Sequence, residues 1–549
     1  MDARARDDPP GSCPDSVVTE PSLAGVLALR AEGQSTKALA LAEQLVVQQP
    51  ASVDALNLAG VLHSEQETLE RGSELLGHLV RVEPHRDQAW LNLARTHRRL
   101  GRHRAAYDLV QYALILSPGD QSATALAATC VNHPELSSLG LEVTQRICRR
   151  ARRIDPESAE AATLEGRVLK RVGAWESALR LGLEAMVLAP ADPIALIFAA
   201  GVFAESASSS QACRLYSWAW QVQPESHDVP YWLSQIQLRQ GDFDSGWRNY
   251  EHRWLSSIGI AQAREAAPIR ASRPAYDGHR PGRRVLVWAE QGLGDEIMFG
   301  RLLAEFRPFC DRLLVQLDPR LVSLFSRVMP EVEFHGFDSP LPIERYDEQI
   351  PLGNLGGLLR PTRQSFFGKG GAYLLPKRDL PASLRADVKV PAGERLIGVS
   401  WLSANPDTGA SRSLALEAVL RELQRDGIRL LNLQYGRVRP QIDAAREVTG
   451  INLLQHPDID LTRDIEGLAG LIACCDLVVS VGNATAHLSG ALGQKTWVLL
   501  PQVAGWRWME EGDRCPWYDS LRLFRQSRHG DWAGVLASVR AALSTELSA

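Results

Sequence analysis

The sequence predicts an α-helical solenoid followed by an α/β region, and two observations predict it. Prolines recur at Pro50, Pro84, Pro118, Pro156, Pro190 and Pro224, at intervals of 34, 34, 38, 34 and 34 residues. Beyond residue 283 that period is gone, and short apolar runs alternate with helical stretches instead.

Each proline of the first half closes an apolar helical stretch, such as "AAYDLVQYALILSP" or "ESALRLGLEAMVLAP". Twelve positions before a proline stands a small residue: Ala38, Gly72, Ala106, Ala178 and Ala212. Five positions before it there is often another, as at Ala113, Ala185 and Ala219. Small residues let two helices approach closely, and proline stops the second helix before the next begins. Trp90, Leu93 and Ala94 supply large and small packing positions of a first helix. This register resembles the tetratricopeptide repeat. The 38-residue interval contains "CVNHPELSSLG", which predicts a four-residue insertion between the helices of one repeat. An incomplete unit, "GDFDSGWRNYEHRW", closes the array, which is expected over 20–254. Such solenoids commonly take extended peptide on their concave face; the plainer use is a subunit interface or a shield over a neighbouring domain.

Composition bounds the rest. At 549 residues, with 45% hydrophobic and 23% charged residues, the chain is of globular type and long enough for several domains. A net charge of −5 argues against nucleic acid as the main partner. The arginine cluster "RICRRARRID" has the spacing of a solvated helix face. Eight scattered cysteines with no CxxC pair fit a reducing compartment and give no metal site. Cys474 and Cys475 are expected as core fillers. Residues 1–19 are polar with no apolar h-region, which predicts a disordered tail. No apolar run reaches the roughly 18 residues that span a bilayer. A cytoplasmic location is the expectation.

Residues 255–282 lose helical periodicity and gain proline and glycine, and are expected to be a linker. After them "RVLVWAE", "RLLVQL" and "VEFHG" are expected strands, separated by the helical "DEIMFGRLLAEF" and "RLVSLFSRVM". A second series follows, with "LIGVSW", "IRLLNLQYG", "DLVVSVG" and "TWVLLP" as strands. Alternating βα units imply parallel, doubly wound sheets. The break near 380–392 implies two Rossmann-like lobes, 283–388 and 389–549, facing a cleft.

Ligands of such sheets bind beyond the carboxyl ends of the strands, so three loops matter. In "AEQGLGDEIMFG", Gly292 and Gly294 permit close backbone approach and Asp295 opens a helix. Asp295 serves there either as a helix cap or as an acid–base group. No GK[ST] follows, which excludes a Walker loop. In "SWLSANPDTGASRSLALEAVL", Arg412 and Ser413 precede a helix, an arrangement that suits a phosphate or leaves a solvated arginine. In "VSVGNATAHLSGALG", small side chains expose helix amides and His487 sits in the first turn. A helix terminus contributes only about 0.3–1 kcal/mol to anion binding, against about 1.5–3 kcal/mol for a charge-assisted hydrogen bond. His487 is therefore either the stronger half of an anion site or a satisfied core histidine.

Together "GLGDEIMFGRLL", "VSWLSANPDTGASRS", "LLNLQYG", "CDLVVSVGNATAHLSGALGQKTWVLLP" and "WRWMEEGDRCPWYDSLRLFRQ" resemble bacterial tetratricopeptide-repeat proteins fused to a heptosyltransferase-like glycosyltransferase. The resemblance implies a GT-B fold that needs no metal and no cofactor beyond the nucleotide-sugar co-substrate. The lobe 283–388 would take the acceptor and the lobe 389–549 the donor. Asp295 matches the proposed general base. Asn483, Ala484, Thr485 and His487 fall in the donor-binding turn, with Arg412, Ser413 and Arg507 as further donor contacts. Trp506, Trp508 and Trp517 either stack on sugar or base or pack. Two positions depart from the pattern: Gly482 stands where an aspartate is usual, and Leu402 where a basic residue is. Sugar transfer to a hydroxyl of a protein recruited by the array, flagellin-like acceptors included, is the implied activity. Transfer to lipopolysaccharide or another glycan, and an inactive binding scaffold, are the alternatives.

Overall fold

The computed structural model describes residues 21–66, 68–117, 120–131, 141–277, 283–339, 341–404 and 409–548. The tail 1–19, Pro118 and most of the "CVNHPELSSLG" insertion lie outside them. The chain divides into two compact units, one ending at Pro190 and the other spanning Ala191–Ala549.

The first unit is a row of helix pairs: Leu23–Ala31 with Ser35–Gln48, Val53–Glu65 with Leu69–Val82, Asp87–Arg99 with His103–Leu116, Gln121–Val131 with Leu141–Ile154, and Ala159–Arg171 with Trp175–Leu188. Ser52 and Ser158 cap first helices, accepting from the backbone N–H groups of Ala55 and Ala161. The small residues at the repeat spacing are where helices touch: Ala38, Ala106 and Ala178 are wholly buried. At Gly72 a Cβ would stand 2.9 Å from the Gly60 carbonyl oxygen, so only glycine lets those two helices meet.

The second unit opens with two more pairs, Pro193–Glu205 with Ser209–Val222 and Asp228–Gln240 with Phe243–Tyr250. The segment expected to be a linker, 255–282, instead holds a helix at Ile260–Ser272. Pro268 inside it masks the helical pattern, yet Ala266 is buried against Trp254, Leu286 and Trp288. Its end then runs beside the first sheet, where the Tyr276 N–H donates to the Gln349 carbonyl at 2.8 Å.

Among the described residues, ten strands form two wholly parallel sheets. The first contains β1 (Arg284–Trp288), β2 (Arg312–Leu317), β3 (Glu333–Gly336) and β4 (Glu348–Pro351), in the order β3-β2-β1-β4. The second contains β5 (Arg395–Ser400), β6 (Ile428–Asn432), β7 (Leu453–Leu454), β8 (Leu477–Val481), β9 (Thr496–Leu500) and β10 (Leu521–Arg525), in the order β10-β9-β8-β5-β6-β7. Every residue of β8 and β9 is buried, as parallel strands covered on both faces require. β4 escaped the sequence reading because its run is polar. Gln349 is buried nonetheless, and its Oε1 accepts from the Trp288 indole N–H at 2.6 Å. The strand order reverses beside β1 and between β5 and β8, and each reversal opens a crevice at the carboxyl ends of its sheet.

Candidate functional site

The two crevices meet through their first helical turns. The helix Leu293–Gly300 follows β1, the helix Ala484–Ala491 follows β8, and the two pack on each other. At Gly294 a Cβ would lie 3.1 Å from the His487 ring and 3.6 Å from the Ala484 Cα. Gly292 caps its helix in extended conformation, and nothing stands within 4 Å of where its side chain would be. Gly292 thus leaves open space, while Gly294 lets the two helix N-termini close on each other, and such termini favour negative charge.

Asp295 lies in the first turn of its helix and is bound by the Arg507 guanidinium, whose Nε donates to Oδ1. Arg507 comes from a short 3-10 turn, Trp506–Trp508, after β9. Its Nη2 reaches the Gln291 side-chain Oε1 at 3.5 Å, and the Gln291 side-chain Nε2 donates to the Tyr250 hydroxyl. Burial opposes the Arg507 charge, but the Asp295 carboxylate more than offsets this and holds the guanidinium above its usual value.

His487 is 4% exposed. Its Nδ1 hydrogen-bonds the Tyr518 hydroxyl at 3.1 Å, and its ring stacks on Trp508 with centroids 4.7 Å apart. Burial, with the nearby Arg507 charge, pushes its pKa down to about 4 against a weaker opposing pull from Asp295. The imidazole is therefore neutral at pH 7. Arg412 stands close by, an Nη atom 4.0 Å from where a Gly505 Cβ would be. Burial and the neighbouring Arg507 push its guanidinium below the usual value. Among the described residues it has no carboxylate or carbonyl partner, which separates it from the paired Arg507.

Other predicted residues hold the site together from within. Asn483 is the N-cap of the Ala484–Ala491 helix: its Oδ1 accepts from the Ala486 N–H, and its amide donates to the Ser400 hydroxyl at 2.8 Å and the Leu402 carbonyl at 2.9 Å. It ties the end of β5 to the end of β8. Thr485 is wholly buried and donates to the Leu433 carbonyl at 3.3 Å. The Ser413 hydroxyl donates to the Gly409 carbonyl and accepts from the Ser403 N–H, closing its own loop. Ala484 is half-buried at the helix start. Trp506, Trp508 and Trp517 are buried and pack.

Sequence reasoning missed three parts of the site. Tyr250 and Gln291 carry no motif of their own. Arg253, buried from the closing segment of the array, pairs at 3.1 Å with Glu290, just beyond β1. A pocket of about 340 Å³ opens at the end of β6, lined by Asn432, Gln434, Arg437, His456, Asp460 and Thr462. The polar run after the "LLNL" strand was the available signal for it.

Comparison with known proteins supports the repeats. A tetratricopeptide-repeat family model matches residues 62–121. Protein FlbA of Caulobacter vibrioides is 30% identical over 326 residues, covering 56% of this chain and 53% of FlbA. The chain thus spans about half the length of that curated relative. Among solved structures, TTC0263, a tetratricopeptide-repeat protein of Thermus thermophilus, is 18% identical, with a TM-score of 0.31 over 34% of this chain and 100% of its own. A tetratricopeptide-repeat protein from Parabacteroides merdae is 13% identical, with a TM-score of 0.38 over 42% and 89%. The N-terminal half is a helical tetratricopeptide-repeat solenoid, and an α/β region of parallel sheets follows it. Among the described residues no helix is long and apolar enough to cross a membrane.

Proposed function

We propose that the α/β region is a glycosyltransferase of GT-B type that moves a sugar from a nucleotide donor to a hydroxyl of a protein held by the repeats. The observation that carries this is the meeting of two helix N-termini around Asp295, His487, Arg507 and Arg412. A carboxylate on one side and donors for negative charge on the other suit displacement at an anomeric carbon. Asp295 takes the acceptor hydroxyl proton as the oxygen attacks that carbon. The bond to the diphosphate breaks, and the amides before Ala486, with Arg412, stabilise the departing charge. His487, neutral, contacts the donor's phosphate or sugar. The nucleoside fits the pocket at the end of β6, on the same sheet edge.

In this reading Arg507 pairs with either of two groups, Asp295 or the donor diphosphate. Donor binding draws it from the carboxylate and frees the base for the acceptor.

Thermal-shift screening of the full chain against UDP, GDP, ADP, CMP and their sugars tests the reading. A ligand at about 100 times its Kd adds roughly 2.7 kcal/mol of stability. One nucleotide family is expected to stabilise the wild type and to lose that effect in Arg412→Ala and His487→Ala. No shift with any nucleotide would leave the inactive scaffold as the better account.

A further inference from the structure

Arg507 stands on a stretch, Gly505–Glu510, that the last repeat helices grip. The Ser209 hydroxyl donates to the Glu510 carboxylate, and the Glu510 N–H donates to the Arg239 carbonyl at 2.9 Å. The Arg239 guanidinium closes the circuit, donating to the Ser209 hydroxyl at 2.6 Å and to the Ala204 carbonyl at 3.0 Å. Ser209 is 3% and Arg239 7% exposed, so neither bond is a surface accident. Both residues belong to the helix pairs that share a compact unit with the sheets.

Between this grip and the site lies Met509, whose φ of +63° with ψ of 174° is a positive-φ, extended conformation that a side chain disfavours. Such a conformation persists only where the surroundings over-determine it, and it gathers at functional sites. On the inner side of the same stretch Trp506 meets Trp247 edge-on at 5.4 Å and Tyr250 at 6.1 Å, and the Arg507 guanidinium lies over the Trp506 ring at 4.8 Å. The stretch is held at one end by array side chains and presents Arg507 to Asp295 at the other.

We propose that Glu510 is a positioning residue through which the end of the repeat array sets Arg507 in the anion site. The role rests on the donor-site reading above. It makes the last two helix pairs a working part of the site, and it gives a polypeptide seated on them a direct route to the Arg507–Asp295 pair.

The test uses the full-length protein, titrated calorimetrically with inorganic pyrophosphate and with UDP, GDP, ADP and CMP. Amide exchange over residues 506–510 is followed without ligand. Ser209→Ala and Glu510→Ala are each expected to weaken the anion that binds wild type by about tenfold and to speed that exchange at least tenfold. The double variant should lose no more affinity than Ser209→Ala alone, because Glu510→Ala removes only a contact which that variant has already broken. Glu510→Gln keeps a carbonyl oxygen for Ser209 and should recover most of the affinity. Should Ser209→Ala unfold by stripping the buried Arg239 of a partner, the half-buried Glu510 pair of variants carries the comparison. Exchange and affinity unchanged in Glu510→Ala would overturn the proposal, as would faster exchange with affinity intact. A wild type that binds none of these anions would remove the donor-site reading and with it this role, an outcome distinct from a failed grip.

Discussion

The indole nitrogen of Trp508 lies 2.8 Å from where a Cβ on Gly482 would stand. The departure at 482 is thereby matched by a buried tryptophan 26 positions later in the sequence, which fills the space and stacks on His487. Gly482 is a packing partner of Trp508, and the aspartate usual in heptosyltransferase-like chains would collide with the ring. Gly482→Asp is expected to cost about 1–3 kcal/mol as overpacking. Combined with Trp508→Ala it should cost less than the sum of the two single changes, since the collision is gone. Urea unfolding of the four proteins reads this directly, and strict additivity would show that the two positions do not compete for space.

His487 makes stability depend on pH. Its pKa falls from an ordinary 6.5 to about 4 in the folded chain, mainly through burial. Between those values the unfolded chain binds a proton that the folded chain refuses, so stability falls as pH drops through the window. The loss reaches up to about 3 kcal/mol near pH 4. In His487→Gln the slope of stability against pH from 6.5 to 4 should flatten by that amount, as measured by denaturant titrations at several pH values.

Glu296 acts in the opposite direction. Buried beside Asp295's turn, it accepts from the Asp318 N–H at 2.7 Å, and burial raises its pKa from 4.5 to about 7. The folded chain keeps a proton that the unfolded chain has released above pH 4.5, so stability declines as pH rises from 4.5 to 7. Glu296→Gln removes that term. It should raise the unfolding free energy at pH 8 by up to about 3 kcal/mol and leave it unchanged near pH 4.

Asp295 and Arg507 should separate binding from chemistry. In Asp295→Asn the guanidinium loses its carboxylate, so affinity for the nucleotide that binds wild type is expected to hold or to rise by up to about tenfold, a gain of about 1.4 kcal/mol. Under the proposed glycosyltransferase reading, which makes Asp295 the base, sugar transfer should fall by roughly 10²–10⁴. A variant that loses nucleotide affinity in parallel with turnover would place Asp295 in binding alone.

Trp247 joins the closing repeat segment to the sheets. It is 6% exposed, donates its indole N–H to the Arg360 carbonyl at 2.8 Å and packs on Phe299 and Trp506. Trp247→Ala should cost about 3–5 kcal/mol. Because this helix and the sheets form one unit, the loss should appear in the transition that carries the α/β region. A loss confined to an earlier, separate transition would show that the segment folds with the repeats before Pro190 instead.

Much of the architecture is legible in one dimension because its causes are local. Ala38, Gly72 and Ala106 sit at the spacing where helices must touch, and each is buried there or too crowded for a Cβ. The apolar runs of β1, β8 and β9 read as strands because both faces are covered. β4 does not, because its buried Gln349 is satisfied by a distant indole that no local pattern announces. The helix at Ile260–Ser272 is hidden by Pro268 and supported by packing on Trp254.

Read in one dimension, the chain already shows the repeat period, the two series of strands, and Asp295 and His487 as polar residues at the starts of two helices. Those follow from periodicity and from the residue types that helix termini accept. It takes the packed chain to bring Asp295 to Arg507 across 212 residues, to turn Asn483 and Thr485 inward to bind the frame, and to give Trp508 the space beside Gly482. The reason is physical. A periodic pattern tells which face of an element is buried, whereas strand order and loop path choose the neighbour that covers it.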